Sequence, residues 1–160
     1  MPDYPKSVNV GTDKATAYEL RADLHSVRQP ADASQDKAVA VIPDGKAAAF
    51  AVYKGTPAQD RGIADVGPVY AAGPEGPFAV PTGRVFVRFT NGVRADERKK
   101  QFEKAGFEID KTLSYAPNAI WLRPATGGVH RALPALASLS KLPDVEHVEP
   151  QLLLERELKG

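Results

Sequence analysis

The chain contains no cysteine, which excludes disulfides, thiolate metal sites and a Cys nucleophile. It has no long hydrophobic run: none approaches the ~20 residues that a membrane-spanning helix needs. Nor is charge of one sign in excess. The net charge is +1, with 8 Lys/Arg against 10 Asp/Glu in residues 1–80 and 13 against 10 in residues 81–160. A phosphate-binding surface needs a clear basic surplus, so neither nucleic acid nor a membrane is the expected partner. Met1-Pro-Asp-Tyr-Pro-Lys-Ser-Val8 lacks the charged-then-apolar pattern of a secretory leader. The expected location is therefore cytoplasmic, or secreted if a leader has been removed.

Catalytic signatures are missing too. There is no Gly-x-Ser-x-Gly elbow, and Gly73-Pro-Glu-Gly76 lacks the spacing and following helix of a phosphate loop. His25, His130 and His147 are isolated in sequence, whereas a zinc site needs clustered ligands. They are read as surface or strand histidines. Phe86-Val-Arg-Phe89 echoes part of an RNA-recognition signature, but no Gly-aromatic-Gly precedes it and it stands on the first strand of its region. No enzymatic activity, no metal and no cofactor is expected.

What is present fits a soluble globular chain: hydrophobic content is 42% and charged content 26%. At 160 residues it holds one domain, or a compact domain with a smaller companion. Residues 1–82 are rich in Ala, Pro and Gly and read as a small β-rich region. Thr16 to His25 alternates loosely as one strand. Ala38–Ile42 and Ala47–Tyr53 flank Pro43-Asp44-Gly45-Lys46, a turn sequence that predicts a β-hairpin. Residues 55–82 read as a Gly/Pro connector, with Pro68–Ala71 as one short strand.

Residues 83–150 are more regular. Arg84-Val-Phe-Val-Arg-Phe89 alternates, which puts Val85, Val87 and Phe89 on one face. Ala95–Ala105 predicts a helix with Asp96 and Glu97 in its first turn, where the helix dipole favours anions. Phe102 lies on its inward stripe and Gly106 follows as the C′ residue. Phe107–Leu113 and Ala119–Arg123 predict two further strands. A second helix is expected from about His130 to Leu142, with Pro134 tolerated in its first turn and Leu133, Leu136, Ala137 and Ser140 inward. Val145–Val148 predicts the last strand. The order βαββαβ predicts an α+β ferredoxin-like unit: an antiparallel four-stranded sheet with both helices on one face and the other face open. Alternation puts Trp121 on that open face, where it is read as an interface anchor. Residues 151–160, Gln151-Leu-Leu-Leu-Glu-Arg-Glu-Leu-Lys-Gly160, read as an extended leucine-bearing tail, free in isolation and ordered on a partner.

Five segments together carry a resemblance: Val87-Arg-Phe89 with Asn91-Gly92, Glu97 to Gly106, Tyr115-Ala-Pro-Asn-Ala119, and Leu142-Pro-Asp-Val-Glu-His-Val-Glu-Pro-Gln151. Through them residues 84–157 resemble the subtilisin prodomain family, which includes stand-alone protease inhibitors. The resemblance implies that the open sheet face docks on two surface helices of a subtilisin-like serine protease, forming a heterodimer. Glu149 matches the family's main position for capping those helix starts. Gln151 stands where the family has a second acidic residue. The tail would run through the substrate groove, with Leu154, Glu155, Arg156 and Glu157 at the fourth, third, second and first subsites, or with Leu158 at the first after a one-residue slip. The resemblance further implies an inhibitor, with folding-chaperone action alongside. Because the chain stops at Gly160 with no catalytic blocks after it, a separately encoded protein is expected. The alternatives are a prodomain fragment of a longer protease precursor, and a ferredoxin-like regulatory or RNA-binding module.

Overall fold

The computed structural model describes residues 4–10, 16–32, 37–55, 66–73, 77–126 and 129–155. Among the described residues, eleven strands and three short α-helices follow one another. The N-terminal strands are β1 (Ser7–Val10), β2 (Thr16–Leu20), β3 (Leu24–Pro30), β4 (Ala40–Asp44), β5 (Ala48–Lys54), β6 (Val66–Gly67) and β7 (Tyr70–Ala71). Then come β8 (Phe78–Phe89), a 3-10 turn (Ala95–Arg98), α1 (Lys99–Lys104), β9 (Phe107–Thr112), β10 (Ala119–Pro124), α2 (Val129–Ala132), α3 (Leu136–Ser140) and β11 (Val145–Leu154). The protein is sheet-rich with few helices, and its sheets are antiparallel.

The strand expected from Thr16 to His25 is two strands. Arg21 and Asp23 pair at 3.0 Å across the turn, and the Leu24 N–H donates to the Arg21 carbonyl at 3.1 Å, so the chain reverses into a different sheet. The predicted hairpin forms between β4 and β5, with Asp44 opposite Ala48. Its loop is Gly45-Lys46-Ala47, and Gly45 takes the positive φ of 72° that closes it.

The main correction is to the size of the C-terminal sheet. It has seven strands rather than four, in the order β1-β2-β7-β8-β10-β9, with β11 on the other side of β8. β8 organises it. Its Val85–Arg88 segment pairs with β10 on one edge and β11 on the other, while Phe78 and Ala79 pair with β7. The 12-residue β8 thus runs straight through the expected boundary at residue 82. Between β7 and β10 one edge of β8 has no described partner strand, and Pro81, which has no N–H to offer a ladder, sits in that interval. The smaller sheet has the order β4-β5-β3-β6.

Three apolar clusters hold these layers together. Val85, Val87 and Phe89 meet Phe102, Phe107, Ile120, Leu122 and Leu139 beneath the helices. Leu24, Ile42, Phe50 and Val52 of the smaller sheet meet Val69 and Val80. Val8, Tyr70, Ala79 and Leu133 form the third. The second helix departs from expectation: it breaks around Pro134 into α2 and α3. A proline interrupts the ladder and clashes one turn back, and the break changes the phase of the stripe. Ala132, Leu133 and Leu139 are buried, while Ala137 and Ser140 face outward.

Candidate functional site

The phase that sends Val85, Val87 and Phe89 under the helices sends Arg84, Phe86 and Arg88 to the opposite face. Burial of Ile120 and Leu122 turns Trp121 the same way. β11 enters with a register irregularity between Val145 and His147, after which Val148 packs inward and His147 and Glu149 point out. The registers then align one row across four strands: Lys111, Trp121, Phe86 and Glu149.

Within this row the Phe86 and Trp121 ring centroids are 5.3 Å apart at 58°, a tilted geometry that aromatic quadrupoles favour. The His147 ring stands 6.5 Å from Phe86, and its Nε2 is 2.9 Å from Glu149 Oε2. Neither Phe86 nor Trp121 belongs to any of the three apolar clusters. Both are half-buried, each sheltered by the other and open to solvent above.

Ion pairs rim the aromatic centre. Arg123 donates to Glu108 at 2.6 Å and to Asp110 at 3.4 Å; Arg84 lies 3.5 Å from Asp110 and Arg88 3.4 Å from Glu146. The hydrogen bond that Arg123 donates to Glu108, then the charge of that carboxylate, hold its guanidinium above its ordinary range. These pairs are largely exposed and contribute little to stability. They leave a face with two half-buried aromatic rings at its centre and a polar border.

Trp121 and Glu149, singled out from sequence, are therefore brought into one row. Phe86, which carries no signal as part of an RNA-recognition echo, joins them. The signal that could have found it is the strand's own alternation, which leaves one aromatic out of phase with the buried set. Gln151 does not face outward as a free acceptor. Its Oε1 accepts from Thr82 Oγ1 at 2.8 Å and from Arg84 Nη1 at 3.4 Å, stapling β11 to β8 where the register slips between Pro150 and Leu152. The free tail expected from residue 151 is also corrected. Leu152, Leu153 and Leu154 pair with Pro81, Val80 and Ala79, and the Glu155 N–H donates to the Phe78 carbonyl at 2.8 Å. Arg156, Glu157 and Leu158 lie outside the described residues.

His25 is buried, with Nδ1 2.7 Å from the Gly55 carbonyl and its ring stacked on Tyr53. Among the described residues no group of three or more His, Asp or Glu is arranged to hold a metal ion, and no helix is long and apolar enough to cross a membrane. A shallow concavity of about 550 Å³ opens on the helix side between Tyr4, Val8, Leu133, Leu136 and Pro150, away from the aromatic row. No family model, curated protein or solved structure matches the chain.

Proposed function

We propose that the protein is an inhibitor of a subtilisin-like serine protease, and that it docks through the part of its larger sheet's Phe86 face that lies beyond the Val80–Leu153 end packed by the smaller sheet. In this reading β8, the first helical segment, β9, β10, the α2–α3 segment and β11 form a ferredoxin-like βαββαβ unit, onto which the N-terminal strands have been added. The observation that carries the reading is the row Trp121–Phe86–Glu149, with His147 beside it. Half-exposed aromatics packed against each other in a tilted pair on a sheet make interface anchors at small entropic cost. The Glu149 carboxylate at the end of the row accepts hydrogen bonds from the start of a partner helix, where backbone N–H groups lack partners.

The sequence resemblance supplies the class of partner, and the geometry supplies a surface that suits it. The protein acts in this scheme without chemistry of its own, by occupying the protease in a one-to-one heterodimer. Its test is a titration of subtilisin with the protein while hydrolysis of a chromogenic peptide is followed. The expected result is loss of activity that ends near one equivalent, together with co-elution on size exclusion. Full activity at a large excess of the protein, with no shared peak, would remove the proposal.

A further inference from the structure

The end of β11 is gripped from three directions by residues to which the sequence assigns no role. Along the sheet, Leu153 and Leu154 pair with Val80 and Ala79. At the tip, Phe78 and Glu155 exchange two hydrogen bonds. The Glu155 N–H donates to the Phe78 carbonyl at 2.8 Å, and the Phe78 N–H donates to the Glu155 carboxylate at 3.3 Å. Leu153 packs on the cluster that includes Ile42, Phe50 and Val52 of the smaller sheet. Leu152 packs on the cluster of Val8, Tyr70 and Leu133. Two adjacent leucines are thus anchored in two different cores, as the alternation of a strand requires.

A protease groove takes a peptide in extended form and pairs with its backbone N–H and C=O groups. The Glu155 N–H cannot be given to the Phe78 carbonyl and to a groove at once, and Leu154, placed at the fourth subsite, cannot reach it while its strand pairs with Ala79 and the preceding Leu152 and Leu153 stay anchored in these cores. Leu154, 45% exposed, is the one leucine of the three that already faces solvent. We propose that Phe78 and the N-terminal sheets form a latch on Leu152–Glu155, closed in the free protein, which must open locally before this segment enters a protease groove. The proposal rests on the protease reading above for the identity of the groove. The latch gives the N-terminal region a role, since it withholds the segment and sets the rate at which the complex tightens. Local opening of a strand end is the kind of sub-global motion that folded domains permit well below their global stability.

The test is a cross-link that holds the latch shut. The one backbone bond between Phe78 and Glu155 points their ladder groups at each other, so the neighbouring Ala79 and Leu154 form a non-hydrogen-bonded pair, whose β-carbons come closest and suit a disulfide. The chain has no cysteine of its own, so Ala79→Cys with Leu154→Cys makes one defined bond. Leu154→Cys alters the residue placed at the fourth subsite, so the comparison is made within the one variant: its oxidised form should inhibit at least tenfold more weakly than its reduced form, and a reducing agent should remove the difference. Equal inhibition by the two forms overturns the latch. A second readout needs neither variant nor protease: in the wild-type protein the Glu155 amide should exchange with solvent at least tenfold faster than the Val87 amide. Equal rates would mean that the strand end opens only with the whole fold, which also overturns the latch. If neither form nor the wild-type protein inhibits while the exchange rates differ as stated, the latch stands and the protease reading falls.

Discussion

Replacing Trp121 by Ala separates docking from folding. In the free protein the indole is half-buried and its main ring contact is Phe86, at 5.3 Å between centroids. Loss of such a pair costs roughly 1 kcal/mol beyond the area it covers, and no buried core residue loses volume. Trp121→Ala should therefore lower stability by about 1–2 kcal/mol, which leaves a domain of this size folded. At a protein interface a central tryptophan contributes about 2 kcal/mol or more, and each ~1.4 kcal/mol is a factor of ten in affinity. The inhibition constant for subtilisin should accordingly rise by about 30-fold, while Trp121→Phe should recover much of the loss. The assay is progress-curve inhibition, with urea unfolding of both variants to establish that they are folded. A folded Trp121→Ala protein whose inhibition constant stays within twofold of wild type would refute the placement of the docking face.

Glu149→Lys puts a cation where a partner helix start presents its positive end, and should weaken inhibition by more than tenfold in the same assay, against a smaller loss for Glu149→Gln. Phe102→Ala empties a fully buried site beneath β8 and should cost about 3–5 kcal/mol in denaturant unfolding. Tyr70 donates to the Pro5 carbonyl at 2.7 Å, so Tyr70→Phe should cost about 1 kcal/mol at neutral pH. Burial, with Tyr4 second, raises the Tyr70 phenol above its ordinary value. The unfolded chain then ionises near pH ~10 while the folded protein keeps its proton. Stability present below that pH is lost as pH rises beyond it, and Tyr70→Phe should flatten that decline in urea melts between about pH 9 and 11.

Local pattern carried the legible part of the fold. Alternation from Arg84 to Phe89, the glycine after α1 and the Asp44-Gly45 turn each act within a few residues, and each appears where the sequence puts it. The illegible part is non-local. Nothing near Leu152 or Leu153 in sequence reveals that Val8, Ile42, Phe50 and Tyr70, all far away along the chain, close over them, so the segment reads as a free tail. Pro81 and Gly83 disguise the first half of β8 as connector. Pro150 ends the last strand by local pattern, yet among the described residues β11 pairs with β8 alone, and a proline is accommodated on a strand edge that carries no ladder. Pro134 was legible as a residue but not its consequence, a break rather than a start.

For the candidate site, the alternation that found Trp121 also holds for Phe86, but only the pairing of β8 with both β10 and β11 puts Glu149 in the same row. Gln151 was placed by resemblance. Its bonds to Thr82 and Arg84 come from a register slip that no local pattern announces.

The central claim is that the Trp121–Phe86–Glu149 part of the sheet face is the docking surface, and the single tryptophan makes it directly observable. One indole N–H resonance reports Trp121 alone, without assignment of the rest of the spectrum. Titration of the isotope-labelled protein with an unlabelled, catalytically inactivated subtilisin should shift or broaden that resonance, with saturation at one equivalent. An indole resonance that stays in place while the two proteins demonstrably form a complex would contradict the account.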